Sequence, residues 1–534
     1  VLEEARMFAR FAVGLPRFLR RPISLDEARR IVASDNQNRE RNFLLLMKRA
    51  VYERPRSPYL ALLRWAGVQY GDLEASVSKD GVEAALEKLF GAGVCIRLDE
   101  FKGKRPIERN GLVIETGAGS FDNPLLAREF ELSSGGSTGE RRRLAIDFDL
   151  LVHEAALQHL YYTANGFAER PRALWRPIPP GSSGLKNALR GAGAGRPLAR
   201  WFSPQPFSFR FLSSTLFAAY AAACGRLLGG LIPWPEFTPL DQGAKVARWA
   251  AMHVRNGKPP GICLPASNAV RVAQAAIEEG IDIRGTLFRA GGEPLTAAKY
   301  AVIRKAGADT ISGWALSETG VLGGSCANRE TIDEIHLFTG KTAFLERPVS
   351  FRGGGETIRA LHLTTLLPAT PKIMLNVDSG DYGVLTHRRC GCPLEAAGLD
   401  LHLHTIRNYE KLTAGGMHFV GAQLAAIAEG DLPRRFGGAP TDYQFVEEED
   451  GPASRVTVVV SPRLGPLDES QIVETVLAAL GEPSRGESMM ARNWRQAGTL
   501  RVTRREPYAT AAAKTPAVWV IRSNMPKNGG SPGH

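Results

Sequence analysis

"RVAQAAIEEGIDIRGTLFRAGGEPLTAAKYAVIRKAGADTISGWA", residues 271–315, decides the class of fold. It reads as helix, strand, helix, strand, with short apolar runs set between longer helical patterns. From about residue 145 to 400 the same alternation continues, which predicts an α/β protein with β-sheets flanked by helices.

On the N-terminal side, residues 1 to about 125 read as a mostly helical lead-in. In "GVEAALEKLFGAGV" (81–94), Val82, Leu86, Leu89 and Phe90 share one helical face, and Gly91 and Gly93 supply a stop. The opening "VLEEARMFARFAVGLPRFLRRP" predicts an amphipathic helix ending near Pro16. It lacks the features of a secretory signal, and Glu3 and Glu4 argue against a transit peptide. On the C-terminal side the character changes. "DYQFVEEED" and "SRVTVVVSPRL" read as strands joined at Asp450-Gly451-Pro452, and "DESQIVETVLAALG" (468–481) reads as a helix with Asp468 as N-cap. The expected organisation is a large N-terminal domain (1–406), a small mobile α+β C-terminal domain (407–523) and a disordered tail (524–534).

The chain has 534 residues and a formal net charge of +12, a balance that suits anionic partners such as nucleotides and coenzyme A. No stripe of Lys/Arg interleaved with aromatics points to nucleic acid. Six cysteines make no disulfide framework and fit a cytoplasmic location. Cys95, Cys224 and Cys263 sit singly in apolar surroundings, as buried thiols do. The most apolar stretch (214–234) is interrupted by Arg226 and reads as a buried helix followed by a strand, with no transmembrane segment. "PIPPGSSGLKNALRGAGAGRP" (177–197) reads as a mobile loop over a pocket or an insertion. Whether the chain is a monomer or a homodimer stays open.

The loop "ELSSGGSTGERRRLAID" (131–147) collects glycines and hydroxyls ahead of Arg141, Arg142 and Arg143. Backbone N–H groups and hydroxyls in such a loop suit phosphate oxygens, although a Gly/Ser-rich loop by itself is more often only a loop. It is not the lysine-bearing loop of the common NTPases. Further segments follow: "RAGGEPLT" (289–296), "GWALSETG" (313–320), "DSGDYG" (378–383), "IRNYEKLTAGGMHFV" (406–420) and "EPYATAAAKTPAV" (506–518). In this order they resemble the adenylate-forming superfamily of acyl-CoA ligases, and within it the phenylacetate–CoA ligase-like branch, over roughly residues 50 to 520.

The resemblance implies a reaction and a site. A small-molecule carboxylic acid would attack the α-phosphorus of ATP to give an acyl-adenylate, which coenzyme A would then take as a thioester. A carrier-protein thiol or an amine is the alternative acceptor, and a catalytically degenerate nucleotide-binding homologue is the rival. Ser134, Gly135, Gly136, Ser137, Thr138 and Gly139 would hold the β- and γ-phosphates. Gly292, Glu293 and Pro294 would border the adenine, with Trp314, Ala315 and Leu316 continuing that wall. Ser317 would contact phosphate, Glu318 would help hold Mg²⁺, and Asp381 would accept from the ribose hydroxyls. Arg407 would sit at the hinge and reach ribose or phosphates. Lys514 would bring a mobile cation to the α-phosphate, a role its donors suit. Ala315 stands where the family has glycine, Ile406 and Glu410 depart from the hinge pattern, and Arg141 follows the loop in place of proline or lysine.

Cys390-Gly391-Cys392, Cys326 and His336 offer a Cys₃His set that would suit a closed, structural Zn²⁺, with His387 in reserve. A Cys-x-Cys pair by itself is usually without metal. His402 and His404 alternate with Leu401 and Leu403 and read as ordinary strand residues. His153 and His159 fall on a helix, where His153 would at most line the acid pocket.

Overall fold

The computed structural model describes residues 2–117, 119–133, 143–179, 182–206, 212–228, 232–350, 357–409, 421–450, 453–481 and 500–522. Twelve strands form one sheet, in the order 342–350, 357–365, 377–387, 401–408, 335–337, 320–325, 309–316, 287–291, 261–264, 172–175, 200–203, 235–237. The strands from 309–316 to 235–237 run parallel. The others pair antiparallel. This is the α/β sheet that the alternation in 271–315 predicts.

Parallel neighbours need crossovers, and helices Gly243–Arg255, Ala266–Glu278 and Ala297–Lys305 cover one face. Phe288 and Ala290 pack there with Val246, Ala250, Ala269 and Val270. Because side chains alternate along a strand, Arg289 points to the opposite face. On that face Leu174 and Cys263 pack under Leu185 and Leu189.

Three local expectations are corrected. The first helix, Leu2–Leu19, runs through Pro16. One missing backbone donor is outweighed by Phe11, Leu15, Phe18 and Leu19, all buried. Residues 177–197 are no loop, since Ser182–Gly193 is a helix whose Leu185, Ala188, Leu189 and Ala192 are fully buried. The apolar stretch near 214–234 forms helix Leu212–Leu227, and its strand, Pro235–Phe237, begins later than expected. Among the described residues, no helix is long and apolar enough to cross a membrane.

Residues 421–522 build a second core around Leu424, Phe445, Val456, Val458, Ile472, Val476 and Leu500. Its sheet has the order 500–504, 453–460, 443–450, 518–522. Helix Glu469–Gly481 is capped by Asp468, whose carboxylate accepts from Ser470 N at 2.9 Å and Gln471 N at 3.2 Å. Strand Leu401–Asn408 still belongs to the large sheet, with Arg407 opposite Tyr382, so the change of core falls after Asn408 rather than at Arg407. Glu410 and the glycine turn lie outside the described residues, as does the tail.

Candidate nucleotide and acid site

The parallel strands Leu287–Gly291 and Asp309–Leu316 end side by side, with Gly291 opposite Gly313. The next residue, Gly292, has φ +92°, and a Cβ there would lie 2.9 Å from Lys514 Cε, 3.1 Å from Lys514 Nζ and 3.9 Å from Arg176 Nη1. Bare backbone at Gly292 is therefore what admits the Lys514 amine to the sheet edge. Lys514 arrives on a tight turn in which Ala513 has φ +60°, Thr510 N donates to Lys514 O at 2.8 Å, and Lys514 N donates to Thr510 Oγ1 at 3.1 Å.

Polar contacts cross between the two cores, alongside Ala439, which is buried against Val270 and its neighbours. Thr515 N donates to Ser267 Oγ at 3.1 Å and Gln205 Nε2 to Ala511 O at 3.0 Å. Arg463 meets Glu278 at 3.0 Å, and Lys299 meets Glu429 at 2.8 Å. Glu293 turns inward and accepts from Ser267 N at 2.8 Å and Ser267 Oγ at 2.6 Å. The Pro294 carbonyl accepts from Lys299 Nζ at 3.3 Å.

Beside them, Trp314 Nε1 donates to Asp381 Oδ2 at 3.1 Å, and Asn408 Nδ2 donates to Asp381 Oδ1 at 2.9 Å. Both carboxylate oxygens of Asp381 therefore accept from fixed donors, which orients the group. Ala315 sits at a bulge in the strand pair and is exposed. Leu316, Ser317 and Glu318 follow, half-buried, and the Glu318 carbonyl accepts from Lys372 N at 3.1 Å. Arg407 meets Asp333 at 3.4 Å and its own neighbour's carbonyl, Ile406 O, at 2.8 Å. Ser134, Gly135, Gly136, Ser137, Thr138, Gly139, Arg141 and Arg142 lie outside the described residues.

Under the Ser317–Gly320 turn lies a buried hub. Glu154, fully buried, meets Lys341 at 3.3 Å, Arg190 at 3.4 Å and Lys186 at 3.7 Å, and accepts from Val321 N at 2.9 Å. Burial alone would raise its pKa, but Lys186, Lys341 and Arg190 hold it down at about 2. Lys341 is pushed down to about 8, chiefly by burial, with Glu154 opposing. The asymmetry is physical: the carboxylate has three cations, whereas each cation has a third of a carboxylate and two like-charged neighbours.

The cysteines gather elsewhere. Cys326, Cys390, Cys392 and His336 present ligand atoms that all lie within 4.8 Å of one another. His336 Nε2 is 3.1 Å from Cys392 Sγ and 3.7 Å from Cys390 Sγ, while its Nδ1 meets Leu399 O at 2.6 Å. That carbonyl fixes the Nδ1–H tautomer and leaves Nε2 as a donor atom. Ligands on a tetrahedral zinc stand roughly 3.5–4 Å apart, so the set fits a metal ion. Arg388 reaches Cys326 Sγ at 3.6 Å and Glu334 at 2.6 Å. His387, the reserve ligand, is exposed and faces Asp400 at 3.4 Å. Strand Gly320–Ser325 separates this cluster from the Ser317–Glu318 turn, about 20 Å of extended chain.

His153 is held by Asp35 at 2.8 Å. His402 is no isolated strand residue: its Nδ1 meets Glu334 at 2.7 Å, and its ring lies 4.0 Å from that of His336. Sequence reasoning missed Glu154, Lys186, Arg190, Lys341, Arg176, Arg289 and Asn408. The available signal was charge inside apolar strands, as in "LFRAG" and "RALWR".

No protein-family model matches the chain, and no curated protein matches it. Among solved structures, it is similar to a 2-hydroxyisobutyryl-CoA ligase in the postadenylation state in complex with R3-HIB-AMP. Identity is 13%, the TM-score is 0.52, and the match covers 91% of this chain and 89% of that one. The same ligase in complex with 2-HIB-AMP gives 12% identity and a TM-score of 0.50, covering 91% and 89%. At such identity the likeness is one of fold.

Proposed function

We propose that this chain, which shares the fold of an adenylate-forming acyl-CoA ligase, activates a carboxylic acid with ATP and passes the acyl group to coenzyme A. The observation that carries the reading is Lys514 over Gly292, a cation from the second core beside the Trp314–Asp381–Asn408 group. Attack of a carboxylate on the α-phosphorus releases pyrophosphate, and the protein's task is alignment and neutralisation of charge. In this reading Lys514 neutralises the α-phosphate, Asp381 accepts from the ribose, and Gly292, Glu293, Pro294 and Trp314 border the base. Ser317 binds phosphate. Mg²⁺ held with Glu318 would screen the triphosphate.

The Ser134–Gly139 loop completes the phosphate site, and Arg407, now on Asp333, would exchange partners when the second core turns. The Cys₃His cluster takes Zn²⁺ as a structural ion, since four protein ligands leave no open position and strand Gly320–Ser325 separates it from the Ser317–Glu318 turn.

Pyrophosphate exchange with a panel of carboxylic acids tests the reading. Lys514→Ala is expected to lower exchange about 10²–10³-fold, the range for losing one charge-stabilising donor. Its melting temperature should hold. Exchange with no acid refutes the ligase, and exchange unaffected by the substitution refutes the role of Lys514.

A further inference from the structure

The sheet face beneath helix Ser182–Gly193 carries an excess of positive charge. Arg172, Arg176, Lys186, Arg190, Arg289 and Lys341 are all buried. Among the described residues, three of them, Lys186, Arg190 and Lys341, share the buried carboxylate of Glu154. Arg176 and Arg289 have no carboxylate within ion-pair distance among the described residues. Arg176 donates to Gly291 O at 3.0 Å, and its Nε is buried with no partner. Arg289 Nε donates only to Tyr161 Oη, at 3.3 Å. Two buried guanidiniums with no carboxylate beside them among the described residues, and only the Cys263 thiol against Arg176, are costly, and a bound anion would relieve that cost.

Register shows where that anion would sit. Cys263 stands opposite both Leu174 and Arg289, and Arg176, two residues beyond Leu174, faces the same way. A Cβ at Gly291 or Gly313 would overlap the Arg289 guanidinium, so the two glycines let it lie along the strand ends. The field there is strongly positive: burial raises the Cys263 pKa, yet Arg176 and Arg289 bring it below the ordinary thiol value. Asn268, fully buried at the start of helix Ala266–Glu278, also has both amide atoms unpartnered. Lys514 Nζ and Arg176 Nη1 lie 3.1 Å and 3.9 Å from one and the same Cβ position at Gly292, and Arg289 Nη1 lies 2.5 Å from that of the preceding Gly291. An acid spanning the two cations is short.

We propose that the acid is a short dicarboxylic acid, with its reacting carboxylate beside Lys514, its distal carboxylate on Arg289, and Arg176 between them. This rests on the ligase reading for the identity of the reacting end.

The experiment compares succinate with butyrate and glutarate with valerate in pyrophosphate exchange, for the unaltered protein and for Arg289→Met and Arg176→Met. The diacid is expected to exceed its monoacid partner in kcat/KM by about 100-fold, a charge-assisted contact's worth. Arg289→Met should bring the ratio close to unity. A monoacid preferred by the unaltered protein overturns the proposal, as does an equal loss for both acids in the variant. If Arg289→Met does not fold, the ratio in the unaltered protein and its change in Arg176→Met decide. If no acid supports exchange, the ligase reading falls, and calorimetry reads the pocket directly. Glutarate bound with valerate unbound upholds the pocket, whereas equal binding or none refutes it.

Discussion

Two buried polar clusters in this chain have opposite needs. Around Glu154, cations outnumber carboxylates, and the neighbouring Arg176 and Arg289 have none. Around His336, three thiols and an imidazole converge on one point, with Glu334, His402 and Arg388 tied together behind them. In the readings proposed above, an anion would complete the first cluster and a metal cation the second. The first also lies beneath the end of the sheet that receives Lys514, whereas the second lies at the far end of strand Gly320–Ser325, so in the proposed reading the first is the one near the chemistry.

The comparison is broken most severely at the cysteines. Cys390→Ser with Cys392→Ser should abolish metal binding, measured as one ion per chain in the unaltered protein. Melting should fall by several kcal/mol, since a structural metal's affinity is folding free energy. Unaltered protein prepared without chelator and free of metal would remove the contrast. Glu154→Gln comes next. It leaves three buried cations without a counter-charge and should destabilise the fold by about 3–5 kcal/mol in denaturant unfolding. A loss below about 1 kcal/mol would mean the cations find another anion.

The pH dependence sharpens the same point. Glu154 has a folded pKa of about 2 against an ordinary 4.5. Its contribution is therefore fully present above pH 4.5 and lost as pH falls through 2, about 3 kcal/mol in all. Lys341 works the other way. With a folded value of about 8 against 10.5, it is penalised below pH 8, and the penalty lifts as pH rises from 8 to 10.5. Unfolding across both windows should lose the acid slope in Glu154→Gln. The smallest stability effect belongs to Gly292→Ala, where φ +92° and the Lys514 side chain both oppose a methyl. About 1–2 kcal/mol is expected, with a larger loss in pyrophosphate exchange, because Lys514 is displaced.

The sequence carried whatever was local. Alternation in 271–315 predicts the strands and their flanking helices, and Asp468 reads as the cap it is. The order of short motifs singles out Trp314, Asp381 and Lys514 by resemblance, before the Trp314–Asp381 hydrogen bond is known. What it did not carry was long-range. Glu154 lies on a helix in the first third of the chain, and its partners Lys186, Arg190 and Lys341 come from a later helix and from beyond the sheet's antiparallel turn. Arg289 resembles any cation in "LFRAG" until the strand is seen to be buried on both faces. Helix Ser182–Gly193 was hidden by glycines and prolines at its start, because composition is a poor guide where close packing on a sheet sets the choice. His402 was legible as a strand residue, but its place behind His336 depends on the register of two strands far apart in sequence.

The polar seam between the two cores has a consequence for how the protein responds to its medium. Arg463–Glu278 and Lys299–Glu429 cross it, with hydrogen bonds at Ser267 and Gln205 beside Lys514. Dissolved salt weakens the exposed Arg463–Glu278 attraction over a Debye length of about 8–10 Å near physiological strength. On the proposed turning of the second core, higher ionic strength is expected to unseat Lys514 more often at a fixed substrate concentration.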